Sequence, residues 1–198
     1  VKVGLSPHAP YSVSPPLLKR LAEWARAEGL PLMVHAAESP EEVAFLARGE
    51  GPLREVYGRF AKTPWTPPGT TPVRHLHALG VLGPTTLLVH GVQVDEEEVG
   101  LLAETGTKVV LCPRSNANLE VGEAPLALYA KHGVELALGT DSRGSSPDLD
   151  VKNEARFLWG RAEPRLLVRA LTRGGYRALG LPTPRLTRGT PLSLVHFL

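Results

Sequence analysis

Cys112 is the one cysteine in 198 residues. An internal disulfide is excluded, and a reducing cytoplasm is the expected location. Charge of one sign is equally scarce: 22 Lys and Arg stand against 20 Asp and Glu, a net +2. That balance offers no field for nucleic acid or an anionic membrane, so neither is expected as a partner. No apolar run is long enough to cross a bilayer. The sequence also lacks G-x-G-x-x-G and G-x-x-x-x-G-K-[ST], the glycine loops that cradle dinucleotides and nucleotide phosphates. What remains is an ordinary soluble composition, 42% apolar, in a chain long enough for one sizeable core.

Several strand-like runs end on a polar residue. Leu30-Pro31-Leu32-Met33-Val34 leads into His35, with Glu38 three residues later. Thr85-Thr86-Leu87-Leu88-Val89 ends on His90, and Val134 to Thr140 ends on Asp141. Runs this apolar suit parallel strands covered on both faces. A buried His or Asp at such an end is costly unless it has partners or work.

Read in order, Val1–Leu5 is a strand and Ser14-Pro15 caps a helix that Gly29 closes. Ser39 caps a second helix. Residues 49–71 read as an irregular, Pro-rich insertion. Its Tyr57, Phe60 and Trp65 would either cover an aromatic ligand or pack the loop down. A helix from Pro72, the strand to His90, a helix opened by Asp95-Glu96-Glu97-Glu98 and a strand Lys108–Cys112 follow. Cys112-Pro113-Arg114-Ser115-Asn116 leaves that strand. Helices are predicted near 125–132, 149–159 and 164–179, and a last strand over Ser193–Phe197. Strand–helix alternation argues for a parallel sheet with right-handed crossovers. Polar residues after several different strands argue for a barrel with its chemistry on the C-terminal face.

His35 suits a metal ligand, and Glu38 suits a proton carrier beside it; a hydrogen-bonded core pair is the plain alternative. Asp141 would ligate, hold an attacking hydroxide, or cap its own turn. His90 would ligate or polarise a leaving atom. His8, between two prolines, would touch substrate or only brace its loop. Arg114 and Arg143 would clamp a substrate carboxylate or stand in solvent. Cys112 is read as packing. His75 and His77 fall in a helical pattern, where i and i+2 diverge, and are read as surface residues.

The segments SPHAPYSVS, HAAE, LLVHGVQV, VVLCPRSN and LGTDS, in this order, resemble the amidohydrolase superfamily in its purine-deaminase branch. The resemblance implies an α/β fold, a (β/α)8 TIM-type barrel, here a partial barrel of about strands four to eight over residues 1–187. Residues 188–198 would add a strand of a small β-sandwich. It implies a divalent metal ion, zinc with iron as the alternative, held by His35 and Asp141 with His90 beside it. It makes Glu38 the proton shuttle and places His8 against a purine ring. SPHAPYSVS, PVRHLHALGVL, CPRSN and GTDS are most similar to the aminodeoxyfutalosine deaminases, which implies deamination of an adenine nucleoside, 6-amino-6-deoxyfutalosine, on a route to menaquinone. The enzyme alternatives are deamination of adenosylhomocysteine, methylthioadenosine or adenosine, and triazine dechlorination; the non-enzyme alternative is a structural half-barrel. The family draws two further ligands from an H-x-H strand that this sequence lacks. The chain, which opens on a strand at Val1, is therefore expected to be the C-terminal part of a longer one. It should expose an apolar sheet edge and inner face, met by a complementing N-terminal segment or another copy.

Overall fold

Four short runs rich in Leu and Val pair side by side as parallel strands: β1 (Leu32–Ala36), β2 (Thr86–His90), β3 (Lys108–Leu111) and β4 (Leu136–Leu138). Their spatial order is their sequence order. The computed structural model describes residues 3–60, 65–183 and 188. The alternation of strand and helix in the sequence is what the structure contains, an α/β architecture. The closed barrel is not present among the described residues. The predicted first strand is reduced there to a single parallel bridge, Leu5 to Leu32. The strand foreseen over Ser193–Phe197 and the boundary at 187/188 fall largely outside the described residues.

Helix ends follow local chemistry. Helix α1 (Pro15–Glu28) starts on a proline and stops at Gly29, whose φ of 61° lets the chain turn back. Ser14 sits at the N-cap position but its side chain makes no capping bond. In α2 (Pro40–Arg48) the cap is real: Ser39 Oγ accepts the Glu42 N–H at 3.2 Å. Helix α5 (Glu96–Thr105) carries a full capping box between Asp95 and Glu98.

The insertion at 49–71 is not irregular throughout. It contains α3 (Pro52–Phe60), with Leu53, Val56, Tyr57 and Phe60 at helical spacing. Trp65 stacks on Phe45 of α2, ring centroids 4.2 Å apart, and Tyr57 leans on both rings. The two aromatics therefore pack the insertion down onto the body of the fold, whereas Phe60 is 78% exposed. Helix α4 (Pro72–Ala78) turns Pro72, Val73, His75 and Leu76 inward. This corrects the reading of His75 as a surface residue; His77 is exposed.

The core lies on one face of the sheet. Leu32, Val34, Ala36, Leu88, Val109, Leu136 and Leu138 pack there against α1, α4, α5 and the later helices. These include α7 (Leu126–His132) and α8 (Val151–Phe157). Helix α6 (Pro113–Asn118) follows β3, where no helix is predicted from the sequence. On the opposite face Met33 is exposed, as expected, but Leu87 and Ala137 are buried with Ala178. The cover there is Ala178 of α10 (Gly175–Ala178), which continues as one rod from α9 (Pro164–Arg169) and a π-helical turn (Ala170–Gly174), whose Leu167 and Ala170 join the main core. No helix among the described residues is long and apolar enough to cross a membrane.

Candidate functional site

The C-terminal ends of β1 and β2 bring His35, Glu38 and His90 together. His35 sits inside β1, opposite Val89, and His90 ends β2 opposite Ala36. Strict alternation would send the two imidazoles to opposite faces. The backbone of His90 breaks it, with a φ of 75°. The two rings lie 5.5 Å apart between centroids. Ala37, at φ 54°, makes the same kind of break after β1. The chain then returns, so that Glu38 Oε1 lies 3.6 Å from His90 Nε2. Asp141 has a φ of 58°. Three of the four non-glycine residues in left-handed backbone among the described residues thus belong to one rim. Each costs about 1–3 kcal/mol and persists only where neighbours enforce it.

Those neighbours can be named. The carbonyl of His8 accepts both the backbone N–H of His35 and its Nδ1–H, each at 2.9 Å. The His35 proton is therefore on Nδ1, and Nε2 keeps a lone pair. The His8 ring follows His35 at 5.4 Å, and its Nδ1 pairs with Ser12 Oγ at 2.7 Å. Burial, then the neighbouring His35, lowers the His8 pKa, so its ring is neutral near pH 7. His90, fully buried, shares a 2.8 Å hydrogen bond between Nδ1 and Asn116 Oδ1. With that oxygen accepting, Nε2 of His90 presents its lone pair toward Glu38.

Asp141 stands three residues beyond β4. Burial alone would raise its pKa. Hydroxyls of Ser145 and Ser115, both at 2.7 Å from Oδ2, the Ser142 N–H and the nearby His90 outweigh it and hold the group below its ordinary value. It is a carboxylate, held in one orientation. Asn116, Ser115 and Ser145 were not singled out in the sequence. Their signal is positional: short polar residues one turn beyond a strand that itself ends at the rim.

The two arginines take different places. Arg114 grips Asp148 with both guanidinium nitrogens, at 2.9 and 2.8 Å, and lies 3.6 Å from buried Glu154. Its fork is thus filled by the loop that follows Asp141. Arg143 is exposed on that loop. The Arg114 hydrogen bonds, then the Asp150 N–H and Asn153, hold Asp148 well below its ordinary 3.8. A depressed carboxylate stabilises the fold above its ordinary pKa and loses that contribution as pH falls toward the folded value. Asp148→Asn should therefore melt below wild type at pH 7. The gap should close below about pH 4 in thermal scans across pH. Cys112 is buried, and burial pushes its thiol pKa up. It packs and carries no thiolate.

The donor chemistry suits part of a metal site. His35 offers an imidazole whose tautomer is fixed from behind, and Asp141 a charged, oriented carboxylate. Among the described residues no three His, Cys, Asp or Glu side chains group closely enough to hold an ion by themselves. These groups therefore fit as some of the ligands, with others drawn from outside them.

Residues 1–197 match the amidohydrolase family. The aminodeoxyfutalosine deaminase of Deinococcus radiodurans is 43% identical over 96% of this chain and 48% of its own length. A 5-methylthioadenosine/S-adenosylhomocysteine deaminase of Syntrophobacter fumaroxidans is 36% identical over 91% of this chain and 40% of its own. Among solved structures, an adenosine deaminase from Xanthomonas campestris with bound zinc superposes with a TM-score of 0.72 at 31% identity. The match covers 89% of this chain and 38% of that one. The atrazine chlorohydrolase of Arthrobacter aurescens, 23% identical with a TM-score of 0.72 over 90% of this chain and 38% of that one, shares the fold. The chain thus spans about half the length, or less, of the relatives it matches. With its strand-end histidines and carboxylates at one rim, the chain belongs to the amidohydrolase family.

Proposed function

We propose that the full-length protein is a metal-dependent hydrolase that deaminates an adenine nucleoside, 6-amino-6-deoxyfutalosine, and so serves menaquinone synthesis. The observation that carries this reading is the meeting of His35, His90 and Glu38, with Glu38 Oε1 3.6 Å from His90 Nε2. It is supported by the 43% identity to the Deinococcus radiodurans deaminase. The described strands would be strands five to eight of the barrel, with the bridge at Leu5 a remnant of strand four.

His35 and Asp141 would hold a divalent ion, zinc or iron, with His90 beside it. Such an ion supplies, when bound, the positive charge that acidifies water near neutral pH. The chain's own groups handle the protons. The Glu38 carboxylate takes a proton from the attacking water and hands it to the adjacent ring nitrogen as the water's oxygen adds to C6 of the purine. The proton of the new C6 hydroxyl then passes by way of Glu38 to the amine, the C6–N bond breaks, ammonia leaves, and the C6 oxygen remains as a carbonyl. His90 Nε2, fixed by Asn116, stands where it can accept a hydrogen bond from the water or the amine. His8 lies at the purine end of the row of imidazoles. Asp141 would hold the attacking hydroxide or take its proton.

The test is ammonia release by the full-length protein from aminodeoxyfutalosine, adenosylhomocysteine, methylthioadenosine and adenosine, with metal content measured on the same sample. Fastest release from aminodeoxyfutalosine and a stoichiometric transition metal are expected. Faster turnover of adenosylhomocysteine would move the assignment to the second set of relatives, at 36% identity. Metal-loaded protein inert toward all four would overturn it.

A further inference from the structure

Glu42 is a carboxyl that the proposed chemistry does not use. It lies in the first turn of α2 and is 2% exposed. Its Oε2 accepts the backbone N–H of Glu38 at 2.8 Å. The amides of Ala37 and Ser39 also face the carboxyl, while Oε1 is buried with no partner among the described residues. A helix-start glutamate ordinarily reaches back to the N-cap amide, here Ser39. This one reaches a residue further, into the turn that follows the left-handed Ala37.

That turn carries the work. Between His35 and Glu38 the chain must leave β1, reverse at Ala37 and bring Glu38 back over His90. Ala37 is not a glycine, so its left-handed backbone needs support from outside the turn. Within α2 the Ser39 hydroxyl holds the Glu42 N–H, so the end of α2 and the turn are tied in both directions. A buried carboxyl is an expensive way to cap a helix, since a solvated Ser cap is already present.

We propose that Glu42 is a positioning residue: through the Glu38 amide it sets where the Glu38 carboxylate stands relative to His90. This rests on Glu38 being the proton carrier. Burial pushes the Glu42 pKa up to about 8, against the favourable backbone amides. The group is then mainly a neutral acid near pH 7, and an amide of the same shape should serve in its place.

The experiment compares Glu42→Leu, Glu42→Asp and Glu42→Gln in the full-length protein, by backbone amide exchange and by steady-state kinetics. In the Leu and Asp variants the amides of Ala37–Ser39 should exchange about tenfold faster while α2 beyond Phe45 keeps its protection. Their kcat should fall about 10²-fold with KM and metal content unchanged, as a small misplacement of a reacting group produces. Glu42→Gln should match wild type in both readouts. If Leu does not fold, Asp withdraws the oxygen from the amide and reads the same question. Unchanged exchange at Glu38, exchange that rises along all of α2, or equal losses in Gln and Asp would each overturn the proposal. Should wild type deaminate nothing, the functional assignment fails, and the exchange data alone still decide whether Glu42 holds the turn.

Discussion

Glu38→Gln in the full-length protein is expected to lower kcat by about 10²–10⁴-fold, the range for removing a positioned proton carrier. The change is nearly isosteric. The backbone N–H that Glu42 receives is untouched, so the turn and its contact with His90 keep their geometry. The amide cannot deliver a proton to a ring nitrogen or to a departing amine. KM and bound metal should stay near wild type, because neither proposed ligand, His35 or Asp141, is altered. Metal-replete Glu38→Gln with wild-type kcat would remove Glu38 from the reaction and shift the proton work to His90.

The second large effect concerns folding. Gly174 closes the π-helical turn and lies against β4. A Cβ there would lie well inside contact distance of the Leu136 carbonyl oxygen and 3.0 Å from the Cα of Ala137. Both obstacles are strand backbone, which cannot move aside as a side chain can. Gly174→Ala must lift the rod off the sheet, exposing Leu87 and Ala137 where they meet Ala178. A loss of about 3 kcal/mol is expected, from the upper end of overpacking costs. In a chain of this length that is a fall in Tm of about 10 °C. Gly175, the next residue, has helical backbone and open space where its Cβ would go. Gly175→Ala should be neutral or slightly stabilising, because alanine is the better helix former. Equal Tm changes in the two variants would show that the rod does not press on β4.

The sequence made some of this legible and hid the rest for physical reasons. His35, His90 and Asp141 were visible because each ends an apolar run, where a polar residue has to be accounted for. Glu38 was visible by its spacing from His35. The four strands were found with ends shifted by a residue or two, since β1 and β4 pair over shorter stretches than their apolar runs. Helix α3 was passed over although Leu53, Val56, Tyr57 and Phe60 carried the periodicity; the flanking prolines and glycines drew the reading toward a loop. Helix α6 is six residues long, too short to show a period. The filling of Arg114 by Asp148, and of the Glu38 amide by Glu42, depends on crossings between loops that no local pattern encodes. The burial of His75 follows from a helix whose inward face is wider than two residues per turn.

The sheet adds each strand beside the one synthesised just before it. No strand has to be inserted between two already paired, so the ladder can lengthen at a single edge as the chain emerges from the ribosome. The costliest loop to close is the first, from β1 across the aromatic-pinned insertion to β2. Once Phe45 and Trp65 have met, that span is shortened, and the later additions have only brief crossovers to make. Vectorial growth of this kind confines each new pairing to the margin made last.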